Sequence, residues 1–104
     1  MSWGNKQYDW SELVSYLQEE IDANKGIIPA DGLRWVQHYL DHDEYSMAFE
    51  YLYLALMDIE GSRFTKGKQR AVEIALFLNL NDQNECMIDA DFWQKFQNSL
   101  ARAS

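Results

Sequence analysis

The sequence predicts an all-α fold: a single compact bundle of about five helices spanning residues 1–104. Three observations point there. Apolar residues recur every three or four positions along most of the chain, no stretch alternates as a half-buried strand would, and Pro29 is the only proline. Fifteen aromatic residues, Trp3, Trp10, Trp35 and Trp93 among them, supply one core. A chain of 104 residues buries roughly two-thirds of its unfolded surface without disulfide or metal staples.

The first helix is expected from Asp9. Asp9-Trp10-Ser11-Glu12 has capping-box spacing, Tyr8 and Leu13 are placed as a hydrophobic staple, and Trp10, Leu13, Val14, Leu17 and Ile21 then share one face. Asn24-Lys25-Gly26 should end it, with glycine in the left-handed conformation. Pro29 suits the first turn of a second helix whose buried stripe is Leu33, Val36 and Leu40, despite the propensity cost of Gly32.

Asp41-His42-Asp43-Glu44 repeats the capping-box spacing, with Leu40 and Tyr45 as the staple, so a turn near Asp41 should lead into a long third helix ending about Glu60. This is the expected central helix. Tyr45, Ala48, Leu52, Ala55, Leu56 and Ile59 form its apolar face, flanked by Met47, Tyr51 and Leu54, and a strip through Ser46, Glu50, Tyr53, Met57 and Glu60 is expected to look outward. After Gly61 comes a basic connector with Arg63, Lys66, Lys68 and Arg70. A fourth helix carries Val72, Ala75, Leu76 and Leu78 and stops at Asn79-Leu80-Asn81-Asp82; Asp91 can cap a last short helix with Trp93, Phe96 and Leu100.

Charge is distributed unevenly. Of the 17 acidic residues, 12 lie between Met1 and Glu60, opposed by Lys6, Lys25 and Arg34, so this stretch carries 3 − 12 = −9 while the whole chain carries −8. Such a field repels nucleic acid and anionic membranes and speeds encounter with a basic partner. Asp9, Glu12, Asp41, Glu44 and Asp91 stand at expected helix starts, where they satisfy the positive dipole end. Glu19, Glu20, Asp22, Asp58 and Glu60 stand instead near helix C-termini, where the dipole opposes them by a few tenths to about 1 kcal/mol each. If helices one to three run up, down, up, these five acids share one end of the bundle, although the basic connector starts at that same end. On the outer strip of helix three, Tyr53 and Met57 sit between Glu50 and Glu60 as apolar anchors, provided no later helix covers them. The expected partner-binding residues are therefore Glu19, Glu20, Asp22, Glu50, Tyr53, Met57, Asp58 and Glu60.

Little else carries chemistry. His38-Tyr39-Leu40-Asp41-His42 approaches the inverted zincin pattern H-x-x-E-H, but aspartate is shorter than the general base it would replace and no third ligand is marked. A lone Cys86 reads as a small, largely buried hydrophobe, and it allows no internal disulfide. There is no glycine-rich phosphate loop, no G-x-S-x-G and no basic-aromatic surface for nucleic acid. No catalytic residue, metal ligand or cofactor is assigned, and an enzyme is not expected. The start MSWGNKQYDW lacks a signal-peptide apolar run and no window is long and apolar enough to span a membrane, so a cytoplasmic protein is expected.

The segment YLDHDEYSMAFEYLYLALMD, Tyr39 to Asp58, resembles the bacterial immunity proteins of contact-dependent inhibition and MafI-type toxin systems. In these an acidic helix junction leads into an "EY-x-x-A-x-E-x-L" helix, here Glu44, Tyr45, Ala48, Glu50 and Leu52, and a later amphipathic helix ends in a leucine-rich turn, here Ala71 to Leu80. The resemblance covers about half the chain. It implies a small cytoplasmic helical protein, otherwise monomeric, that binds and neutralises one cognate toxin C-terminal domain, commonly a nuclease. A nuclease cleft is cationic to hold phosphates, so an acidic inhibitor can occupy it as a phosphate mimic. Two rivals stand beside this reading: a small metal-dependent enzyme using His38 and His42, and an acidic nucleic-acid mimic that blocks a DNA-binding protein.

Overall fold

The computed structural model describes residues 10–57 and 67–102, which form α1 (Trp10–Ala23), α2 (Ala30–Asp41), α3 (Tyr45–Met57), α4 (Lys68–Phe77) and α5 (Phe92–Arg102), with one 3₁₀ turn at Gln83–Glu85. Among the described residues there is no strand, as the spacing of apolar residues predicts. The Asp9 capping box, the Tyr8 staple, Trp3, Ile59, Gly61, Arg63 and Lys66 lie outside the described residues.

Helix α1 buries Leu13, Tyr16, Leu17, Glu20 and Ile21, the expected stripe widened by one phenol and one carboxylate. Trp10, expected on that stripe, is 55% exposed because it sits at the helix start, beyond the middle of the bundle. The helix does not end on glycine: Gly26 is not among the positive-φ residues. Asn24 closes it instead, its buried side chain donating Nδ2–H to the Glu20 carbonyl at 2.9 Å while its own carbonyl accepts the Ile27 and Ile28 amides. Pro29 stands one residue before α2 rather than in its first turn, and its carbonyl accepts the Leu33 amide at 3.0 Å. The Gly32 that looked unfavourable has a packing reason, since a Cβ there would lie 3.3 Å from Cγ2 of Ile28.

The break between α2 and α3 falls where the sequence puts it, by a different device. Asp41 is the last residue of α2, bonded by Gln37 Nε2 at 2.9 Å, and α3 begins only at Tyr45, so an Asp41–Glu44 capping box does not form. Asp43 takes φ = 60°, its amide reaching the Leu40 carbonyl at 3.2 Å and the Glu44 amide the Tyr39 carbonyl at 2.9 Å. This pair of bonds is a Schellman motif with aspartate in the left-handed position. Helix α4 ends in the same way: Asn79 has φ = 62°, Asn79 N–H bonds Leu76 O at 3.0 Å and Leu80 N–H bonds Ala75 O at 2.9 Å. Glycine adopts this conformation without a Cβ penalty, so Asn79→Gly is expected to raise stability by about 0.5 kcal/mol and Asp43→Gly by about 0.5–1 kcal/mol in urea unfolding.

Ring contacts fix the directions of the helices. Trp10 at the start of α1 stacks on Tyr45 at the start of α3 (5.2 Å), and Tyr16 further along α1 reaches Tyr53 further along α3, so the two run parallel. Phe92 and Phe96 of α5 contact Phe49, and Phe96 also contacts Tyr53, which sets α5 alongside α3 in the same sense. Between them α2 returns, placing Gly32 beside Tyr51, and this is the expected up, down, up order. Helix α3 is the central helix and buries Ala48, Phe49, Glu50, Leu52, Tyr53 and Leu56 over more than half of its circumference, while Tyr51, Leu54 and Ala55 on the remaining side are half-buried. A helix apolar on every side has no free face to predict. The strip expected to look outward is thereby corrected: α1 covers Tyr53, and the segment before α5 covers Glu50.

Candidate functional site

The eight expected partner-binding residues do not form one surface. Glu19 and Asp22 are exposed near the end of α1, Asp22 paired with Lys25 at 3.1 Å; Met57 is half-buried against the core, and Asp58 and Glu60 lie outside the described residues. Glu20, Glu50 and Tyr53 are each fully buried. A partner meeting the folded surface cannot touch them, so they are withdrawn from the interface. The connector is also shorter than expected, since Lys68 and Arg70 belong to the first turn of α4, with Arg70 Nη1 3.8 Å from Glu73 Oε1.

The two carboxylates among them, Glu20 and Glu50, organise the interior. The Tyr53 hydroxyl donates to Glu20 Oε2, and Tyr16 Oη lies 2.6 Å from Tyr53 Oη and 3.5 Å from the same carboxylate oxygen. With the Tyr53 proton committed to Glu20, Tyr16 is the donor to Tyr53. Burial raises both phenol pKa values, that of Tyr53 well above its ordinary range, so the phenols stay neutral donors. Glu50 reaches across from α3 and accepts the amides of Ile88 at 3.0 Å and Asp89 at 2.6 Å through Oε2. Its Oε1 is buried with no hydrogen-bond partner among the described residues. Burial raises the Glu50 pKa, opposed by the amides of Asp89, Ile88 and Met87. A sequence shows the charge of these residues and not their cover, so from sequence alone they count as surface charge.

The His38 and His42 rings meet at a tilt with centroids 4.2 Å apart, His42 Nδ1 is held 2.8 Å from the His38 carbonyl, and no group of three His, Cys, Asp or Glu among the described residues could hold a metal. Cys86 is buried with Sγ 3.3 Å from the Leu80 carbonyl, and burial, with Glu50, Asp82 and Asp89 nearby, pushes its thiol up to about 11. At pH 8 about one thiol in a thousand would be thiolate, so alkylation of the folded protein is expected to be slow and to become rapid in denaturant. Fast alkylation without denaturant would contradict this burial.

What remains on the surface is charge around a few apolar side chains. Lys25, Arg34 and Lys95 pair with Asp22, Asp31 and Asp89, and Arg70 with Glu73. Among the described residues no cation pairs with Asp41, Asp43, Glu44, Asp82 or Glu85. Three of these acids, Asp43, Glu44 and Glu85, line a groove of about 300 Å³ together with Trp10, Tyr45 and Met87. Trp10 is 55% and Met87 67% exposed, and the indole is held by Tyr45 (5.2 Å) and Phe77 (5.7 Å). Four separate pieces build this place: the start of α1, the α2–α3 junction, the end of α4 and the segment after the 3₁₀ turn. The acidic junction was visible in the sequence; Trp10 and Met87 were not assigned to it, since only the tertiary fold brings them beside it.

No protein-family model, curated protein or solved structure matches the chain. No helix among the described residues is long and apolar enough to cross a membrane.

Proposed function

We propose that the chain is an immunity protein of the contact-dependent inhibition or MafI type, a cytoplasmic inhibitor that binds a basic toxin domain, a nuclease in the simplest case, and holds it inactive. The observation that carries this reading is the surplus of surface carboxylate. After each described ion pair is formed, Asp41, Asp43, Glu44, Asp82 and Glu85 remain on the surface without a described cation, within a chain of net charge −8. Such a field attracts a phosphate-binding cleft and accelerates encounter with it. The resemblance of Tyr39 to Asp58 to the immunity proteins supplies the class of partner.

The folded helices are the means by which a small chain can do this. Buried anchors hold the exposed residues in place before binding, so less ordering entropy is lost on association. The test starts from the adjacent upstream reading frame: if it encodes a large secreted protein, the C-terminal domain of that protein is coexpressed with this chain. That domain alone should arrest growth, and this chain should restore it; arrest that persists at equal expression of the folded chain would contradict the proposal.

A further inference from the structure

We propose that the groove between Trp10 and Met87 is the docking site for an arginine, flanked by an apolar residue, on the surface of the basic partner. The proposal rests on the reading of the chain as a binder of a basic protein and locates the contact within it. The Trp10 indole is fixed by Tyr45 and Phe77 yet remains 55% exposed, which leaves an immobilised aromatic surface open to solvent. Burying such a ring against a partner loses little side-chain entropy, as its position is already set. A guanidinium stacks on an indole face, and its planar fork also meets carboxylates in two-point contact; an ammonium does the second poorly.

The rim fits that requirement. Glu44 and Glu85 are exposed, line the same groove and pair with no cation among the described residues, whereas Asp43 is partly engaged by the Tyr45 hydroxyl at 2.9 Å. Met87, the most exposed large apolar side chain described, lies on the same groove and offers an adaptable thioether to the neighbour of the arginine. Trp35 makes an internal comparison. It is 49% exposed, but its ring neighbours are His38 and Tyr39, and the acid nearest in sequence, Asp31, is already paired with Arg34. An exposed indole is therefore not enough; the groove at Trp10 adds the carboxylates.

The test uses the full chain, labelled with nitrogen-15 and with carbon-13 methionine methyls, titrated with a short synthetic peptide containing an Arg-Leu pair. The same peptide with lysine, and with glutamate, in place of arginine completes the series. The arginine peptide should shift the Trp10 indole and Met87 methyl signals and leave Trp35 unmoved, binding several-fold tighter than the lysine peptide and measurably where the glutamate peptide does not. Trp10→Ala, and separately the pair Glu44→Gln and Glu85→Gln, should each weaken it by about tenfold at low salt, with unchanged spectra elsewhere showing that the fold is intact. If the arginine peptide moves Trp35 or the Glu19 and Asp22 region and not Trp10, the groove is not the site, while the cationic-partner reading stands. If millimolar peptide moves no signal, both are overturned.

Discussion

Tyr53→Ala is expected to lower stability by about 3–5 kcal/mol, because it removes a fully buried aromatic ring and leaves a cavity at the centre of the bundle. Tyr53 packs against Phe49 at 4.4 Å and Phe96 at 5.7 Å, and its hydroxyl serves Glu20 and Tyr16. In a domain of this size each kcal/mol lowers Tm by roughly 4–8 °C, so the effect is visible in thermal unfolding without any partner present. Tyr53→Phe separates the two contributions. It keeps the ring but deprives Glu20 of a donor inside the protein, for about 1–3 kcal/mol. Wild-type stability in Tyr53→Ala would show that the ring is not buried, and would return the residue to the partner-binding surface.

Glu50→Ala is expected to lower stability by about 2 kcal/mol, since the amides of Ile88 and Asp89 lose their common acceptor. The loss should be local as well as global. Hydrogen exchange at Ile88 and Asp89 should accelerate more than at the core of α1, because the carboxylate ties this segment to α3. Glu50→Gln keeps an acceptor oxygen and removes the charge, so it should restore most of the protection. A pH profile follows from the same geometry. Burial raises the folded-state pKa of Glu50 above its unfolded value, so the folded protein holds this proton more tightly. Its stabilising contribution is then full below the unfolded carboxyl range near pH 4.5 and is lost as pH rises through the folded value. Glu50→Gln should flatten that part of the stability curve; an identical slope in both proteins would mean that the carboxylate is solvated. The segment ends beside Met87, so Glu50→Ala should also weaken binding at the groove without touching it.

The fold was legible because it depends on spacing that a sequence displays directly. Leu13, Leu17 and Ile21 in α1, Val36 and Leu40 in α2, and Ala75 and Leu78 by α4 are buried where their periodicity puts them. Helix boundaries were legible only in part, since a left-handed Asp43 or Asn79 ends a helix through backbone bonds that a capping pattern does not describe. The site was least legible. Glu20, Glu50 and Tyr53 look like surface residues as long as each helix is considered singly, and α3 has so little amphipathic bias that its faces cannot be ranked. Their burial depends on α1 and on the segment before α5, which lie 33 and 38 residues away along the chain from Tyr53 and Glu50 respectively. A still longer separation in sequence hid the meeting of Trp10 with Met87.

Under the proposed function this chain neutralises a basic toxin domain by binding it through exposed carboxylates. The most direct test is to titrate the purified chain into the purified toxin domain whose growth arrest it relieves, measuring that domain's nuclease activity at low salt and the association rate as salt rises. Activity should fall linearly to zero at one chain per toxin domain, and association should slow steeply with salt while dissociation changes much less, as charges are screened within about 8 Å at physiological ionic strength. Full activity at several-fold excess of the folded chain, or association indifferent to salt, would contradict the proposal.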